Sequence, residues 1–287
     1  MIAADDSTAR LEPLPPILTV HLFPPLEEKL LALLRELGPE DWEKQTVAPR
    51  WKVKDVAAHL LDTALRKLSM ARDGDRSRAA GPASGEDLVT FINRLNEEGV
   101  RVYGRLSPAV LVALMEIASR DLCRYVASLD PFADAGFGVS WAGEERSANW
   151  FDTARELTER WHHQQQIRLA ADRPGILTRE VYHPVLDCFL RALPFAYRSV
   201  AAPDGVFAQF NVSGDCGGSW FLCRDGRAWT LSASPAGRKI SETTIPQEIA
   251  WRIFTKGIDR DSARAAVRVE GDPAIGLHVL SLVAIVG

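Results

Sequence analysis

The hydrophobic spacing of this chain changes period once, near residue 200. That change narrows the possible architectures more than any single motif does. Before it, apolar residues recur every three or four positions; after it, they alternate. Helices gathered at one end and strands at the other make an α+β protein. The break falls at "SVAAPDG", which predicts a helical region over 1–200 and a small α+β region over 201–287. At 287 residues there is enough chain for both parts to bury a core.

Six helices are expected before the break. "PPLEEKLLALLREL" opens on prolines and is followed by Gly38. "VKDVAAHLLDTALRKLSM" aligns Val53, Val56, Ala57, Leu60, Ala64 and Leu68 in one stripe. "RDGDRSRAAGPASG" reads as a polar loop. "EDLVTFINRLNEEGVRVYGRL" and "PAVLVALMEIASRDLCRYVASL" follow, the latter with Ser107 placed as N-cap. After the long connection "DPFADAGFGVSWAGEERSA" come "NWFDTARELTERWHHQQQIRLAA" and "EVYHPVLDCFLRAL", with Pro194 expected to bend the end of the last. Beyond the break, "GVFAQFNVSGDCGGSWFLCRDGRAWTLSAS" reads as strands, with Asp225-Gly226 marking a hairpin. "PQEIAWRIFTKGI" returns to helix, "RAAVRVEGD" reads as a strand, and "PAIGLHVLSLVAIV" as a final helix from Pro273.

Composition removes several function classes. Thirty-four basic residues face 38 acidic ones, a net charge of −4, so no broad basic field is available for nucleic acid. The opening "MIAADDSTARLEPLPPILTV" lacks the pattern of a secretory signal, and the apolar run "VLSLVAIVG" is too short to span a bilayer. Cys123, Cys188, Cys216 and Cys223 are scattered without metal or redox spacing, and read as free thiols of a cytoplasmic protein.

The fifth helix carries an unusual polar set. Glu159 and His163 are four residues apart and Gln166 is three further on, so the three share a face. His162 is turned about 100° from His163. Opposite runs the apolar stripe Trp150, Ala154, Leu157 and Trp161, and periodicity alone assigns the polar face to solvent. Two features oppose that assignment. Phe151 and Ile167 widen the apolar surface, and an outer face is ordinarily Lys and Glu rather than His and Gln. A helix covered on both sides satisfies both. A carboxylate and an imidazole at this spacing suit one divalent metal, given a third ligand from elsewhere. Of the other histidines (His21, His59, His183 and His278), His59 on the second helix is the best placed, although a lone histidine there is by itself more often a packed one bonded to a backbone carbonyl.

Taken together, "RWKVKDVAAHLLD", "ELTERWHHQQQIR" and the tail "VRVEGDPAIGLHVLSLVAIV" resemble the DinB-like, mycothiol-dependent maleylpyruvate isomerase family. The resemblance implies a DinB-like four-helix bundle followed by a sterol-carrier-like α+β domain. It implies His59, Glu159 and His163 as the ligands of a divalent metal, zinc in the family. Trp51 and Val53 match packing positions at the start of the second helix. His162 and Gln166 are then the candidate catalytic neighbours, placed to hydrogen-bond the substrate or to orient a ligand. The implied partners are a small electrophilic substrate and a low-molecular-weight thiol cosubstrate, without nucleic acid or membrane. Two positions depart from the pattern. Lys52 stands where the family has a Ser or Thr cap, which leaves capping to Asp55 or solvent. Gln166 stands where the family has Asp, a neutral group in place of a charged one.

Three protein ligands leave a coordination position open, as catalytic sites do. The family implication is a thiol-using isomerase or transferase. Hydrolysis by a metal-activated water needs no thiol and stays open beside it. So does a non-enzymatic role, in which Trp220, Phe221, Trp229 and Trp251 line an apolar ligand pocket rather than the core of a sheet. Arg224, Arg227 and Arg238 are further candidates for binding a carboxylate.

Overall fold

The computed structural model describes residues 11–75 and 86–285. The extreme N-terminus and most of the polar loop expected over 72–85 lie outside the described residues. Contacts divide the described chain into two compact units. One holds 17–139, 144–185 and 285; the other holds 11–16, 140–143 and 186–284.

The helical unit begins with a short turn, Val20–Leu22, that leads into α1 (Phe23–Glu36). Pro24 and Pro25 sit in its first turn, where a missing N–H costs nothing. A single turn, α2 (Pro39–Trp42), precedes α3 (Val53–Lys67). The cap of α3 is supplied by Asp55, whose Oδ2 accepts from the Lys52 backbone N–H at 2.9 Å. The Lys52 side chain turns away to Glu43. A π-helical turn, Leu68–Arg72, ends this helix. In α4 (Leu88–Tyr103) the Asp87 carboxylate accepts from the N–H groups of Val89 and Thr90. In α5 (Pro108–Ala127) Ser107 accepts from Val110, as the sequence predicts. The helix α6 runs over Asn149–Ala171, the predicted span, and stops at Asp172 in the left-handed region at φ 54°. The next helix, α7 (Arg179–Leu190), carries Pro184 inside it.

Helix α3 is central: α4, α5 and α6 all pack on it, and α1 packs on α5 and α6. Leu30, Val56, Leu60, Met115, Leu122 and Leu157 are among the buried side chains. At Gly99 the backbone of α4 comes so near α3 that an added Cβ would lie 2.2 Å from the Asp62 carboxylate. An ion pair also lies inside this bundle. Arg160 of α6 grips Glu27 of α1 through two bonds of 2.6 Å, and both side chains are almost fully buried. Ser119 of α5 donates to the same carboxylate. The pair thereby ties three helices together with its lone pairs and protons satisfied.

The other unit is built on one five-stranded sheet. A short helix, α8 (Leu193–Ala196), precedes β1 (Val206–Ser213), β2 (Gly218–Asp225), β3 (Ala228–Ser232) and β4 (Arg238–Pro246). Then come α9 (Gln247–Phe254), α10 (Arg260–Ala266), β5 (Arg268–Gly271) and α11 (Pro273–Leu277). The strand order is β3-β2-β1-β4-β5. Only β1 and β4 run parallel; the other pairs are antiparallel. The predicted hairpin is present. Asp225 pairs with Ala228, and Gly226 takes the positive φ, 58°, that such a short loop requires. Trp220, Trp229 and Trp251 are buried.

One strand adds to the expectations for this unit, and two of them are corrected. Residues 238–246 form a strand that alternation does not reveal. "RAAV" belongs mostly to helix α10, capped by Asp259 on Ser262, and the strand begins only at Arg268. The final helix is a short α11 followed by a tighter turn at His278–Ser281. All four cysteines are free. No helix among the described residues is long and apolar enough to cross a membrane.

Candidate metal centre

Solvent does not cover the polar face of α6. Eighteen of its 23 residues are buried, including His162, His163 and Gln166. The assignment of this face to solvent is therefore overturned, and the reason is local. The helix has apolar contacts on one side and a polar lining on the other, and α3 supplies part of the second cover.

Two ties hold α3 and α6 in register. Near the start of α6, Lys67 reaches Asp152 Oδ2 at 3.0 Å and Glu156 Oε2 at 3.1 Å. Arg155 adds a bond of 2.6 Å to Asp152. One turn on, Arg160 donates from Nη1 to the Leu60 carbonyl at 2.7 Å. Leu60 adjoins His59, so the guanidinium that neutralises Glu27 also sets the height of His59 against α6.

The expected residues come together at this level. The His59 ring stands edge-on to His163 with centroids 4.5 Å apart, and the His162 and His163 rings are 3.8 Å apart. Glu159 Oε2 lies 3.6 Å from His163 Nε2 and 4.0 Å from His162 Nδ1. Among the described residues, the donors that all fall within 4.8 Å of one another belong to Glu159, His162 and His163. His59 joins this set through its ring contact with His163. Its Nδ1 is buried and has no hydrogen-bond partner. The indole of Trp51 closes one side, 4.7 Å from His59 and 5.9 Å from His163. Sequence reasoning gave Trp51 only a packing position; the indole in fact forms a wall of the site.

Hydrogen bonds define which nitrogen carries each proton. His162 Nδ1 lies 3.1 Å from the Thr158 carbonyl. His163 Nδ1 lies 3.0 Å from Gln166 Oε1. Both partners are acceptors, so each ring donates from Nδ1, and a neutral ring held this way keeps its lone pair on Nε2.

Electrostatics keep the set in a ligand-ready form. Burial, helped by the neighbouring His163, pushes His162 down to about 3. Burial and the same neighbour push His59 well below the ordinary imidazole value. Both rings are thus neutral at physiological pH. Burial would raise the carboxyl of Glu159, but the adjacent His163 ring, His162 and the charge of Arg155 outweigh it and hold the group at about 2. One carboxylate among three imidazoles, one of them with an orphaned buried nitrogen, is a donor set suited to a divalent cation.

The sequence also matches a known family. The mycothiol maleylpyruvate isomerase N-terminal domain family covers residues 23–168, slightly more than half of the chain. The chain belongs to this family. Two crystal structures show the same fold. One is a histidine-to-alanine mutant of the mycothiol-dependent maleylpyruvate isomerase, 10% identical, with a TM-score of 0.54. The other is the mycothiol-dependent maleylpyruvate isomerase itself, 11% identical, with a TM-score of 0.51. In each case the match covers 90% of this chain and 95% of the other. No curated protein matches by sequence. The α+β class inferred from the change in spacing agrees with these structures.

Proposed function

We propose that this chain is a metal-dependent enzyme that uses a low-molecular-weight thiol to isomerise a small electrophilic substrate, with transfer of the thiol as the variant reaction. One observation carries the reading: the Glu159 carboxylate and the buried imidazoles of His162 and His163 converge at a single point within the residues matched by the family's N-terminal domain. Glu159 and His163, with His59 from the facing helix, are proposed to hold the cation. Zinc suits this nitrogen and oxygen set and needs no redox partner. When bound, zinc supplies the positive charge that lets a thiol ionise near neutral pH.

The protein's own groups account for the rest. Burial keeps His59 and His162 unprotonated, and Arg155 adds to the charges that favour the Glu159 carboxylate, which suits both to a cation. Trp51 shields one side from water. His162 spends its proton on Thr158, which leaves Nε2 to accept a hydrogen bond from substrate. A sulfur nucleophile adding to a cis-conjugated double bond leaves a single bond about which the chain rotates. Expulsion of the same sulfur then returns the trans alkene, and the thiol is not consumed. We read residues 1–200 as the metal-binding domain and 201–287 as a sterol-carrier-like domain. The mixed sheet and the strand, "GDPA", helix ending support that reading.

Metal analysis and a thiol-dependent assay test this together. The purified protein should bind one zinc per chain, and His59→Ala and His163→Ala should lose it while staying folded. The zinc-loaded protein should isomerise maleylpyruvate only when mycothiol is added. A folded, zinc-loaded protein with no thiol-dependent activity would overturn the reaction, and unchanged zinc content in both variants would overturn the ligands.

A further inference from the structure

Gln166 is buried one turn beyond His163 on α6, and its Oε1 meets His163 Nδ1 at 3.0 Å. From this geometry we infer that Gln166 is a positioning residue: its side-chain carbonyl fixes the tautomer and ring orientation of His163, so that Nε2 is presented toward Glu159. The inference rests on the metal-binding reading above. It assigns Gln166 to the ligand rather than to the substrate.

The argument begins with the imidazole. A neutral ring has one N–H, and whichever nitrogen holds it cannot bind a cation. An acceptor against Nδ1 keeps the proton there and leaves the lone pair on Nε2. That nitrogen lies 3.6 Å from Glu159 Oε2, where one ion can reach both. Partners that hold the far side of a ligand in this way are commonly worth about 10- to 100-fold in metal affinity.

The adjacent histidine gives an internal contrast. His162 is held by a backbone carbonyl, Thr158 O, so no side chain is needed to orient it. His163 depends on residue 166 alone for this bond. A carboxylate at 166 would also accept from Nδ1, but would add a second negative charge beside Glu159. Glutamine provides the orientation without that charge.

The experiment measures zinc affinity by chelator competition and imidazole tautomers by nitrogen NMR of the metal-free protein, in the full chain. Gln166→Leu keeps the bulk and removes the acceptor; Gln166→Glu keeps an acceptor at the same reach. Zinc affinity should fall about 10- to 100-fold in Gln166→Leu and stay within a few-fold of the parent, or rise, in Gln166→Glu. In the metal-free protein His163 should be protonated at Nδ1, lose that preference in Gln166→Leu, and regain it in Gln166→Glu, while His162 stays unchanged in both. Unchanged zinc affinity in Gln166→Leu, or an equal loss in both variants, would overturn the inference. A parent protein that binds no zinc would overturn the metal reading instead. The tautomer measurement still decides that case: an Nδ1 preference of His163 that survives Gln166→Leu sinks the positioning role.

Discussion

Replacing Arg160 by methionine tests whether the bundle depends on its internal ion pair. The change removes the guanidinium but nearly keeps the volume. Glu27 would then be a carboxylate 4% exposed with its two 2.6 Å partners gone, and only the Ser119 hydroxyl left to solvate it. Breaking one side of a buried pair costs about 3–5 kcal/mol. The Leu60 carbonyl loses one donor but keeps the Thr63 hydroxyl, so it adds little. The expected loss in the helical unit is therefore about 3–5 kcal/mol, a large part of an ordinary domain's stability. Glu27→Leu combined with Arg160→Met removes both charges and should recover most of it, because the desolvation penalty vanishes with the pair. Urea unfolding of the three proteins gives the comparison. A loss below about 1 kcal/mol in the single variant, or a double variant as weak as the single one, would refute the reasoning.

Two further outcomes follow from the same geometry. Gly99→Ala, which ordinarily stabilises a helix interior by up to about 1 kcal/mol, should instead lower the melting temperature, because the new Cβ would sit on the Asp62 carboxylate; a higher melting temperature would show that the two helices can part. The metal-free protein should lose stability steadily on acidification. His162 has a folded value near 3, so from about pH 6.5 downward the unfolded chain takes up a proton that the folded one refuses. That window costs about 1.4 kcal/mol per pH unit. Asp152 and Glu159, both held near 2, extend the loss from about pH 4.5 down to their folded values. Denaturant unfolding at pH 7, 5 and 4 checks this, and a stability that is flat or rises toward pH 4 contradicts it.

The long helices were legible because their signals are local. The span of α6 and the Ser107 cap follow from spacing and chain-end chemistry that any reader of the sequence can find. Strand β4 was not legible, because its inward residues include Ser241 and Thr243. Small polar side chains suffice there because Gly276 of α11 comes so close that an added Cβ would lie 2.7 Å from Ser241 Oγ and 2.8 Å from Thr243 Oγ1. Hydrophobic alternation fails where the opposing backbone leaves no room for a large apolar group. In the site, the cluster on α6 showed in sequence as an odd composition for an outer face. The Glu27–Arg160 pair did not, since 133 positions separate two residues that look like any surface charges.

The donors of α6 are spaced by helix pitch, so little can alter their mutual distances short of unwinding the helix. The adjustable coordinate is the sliding of one rod along another, and the Lys67 and Arg160 ties clamp that travel at two points. A grip built this way tolerates drift in the surrounding side chains.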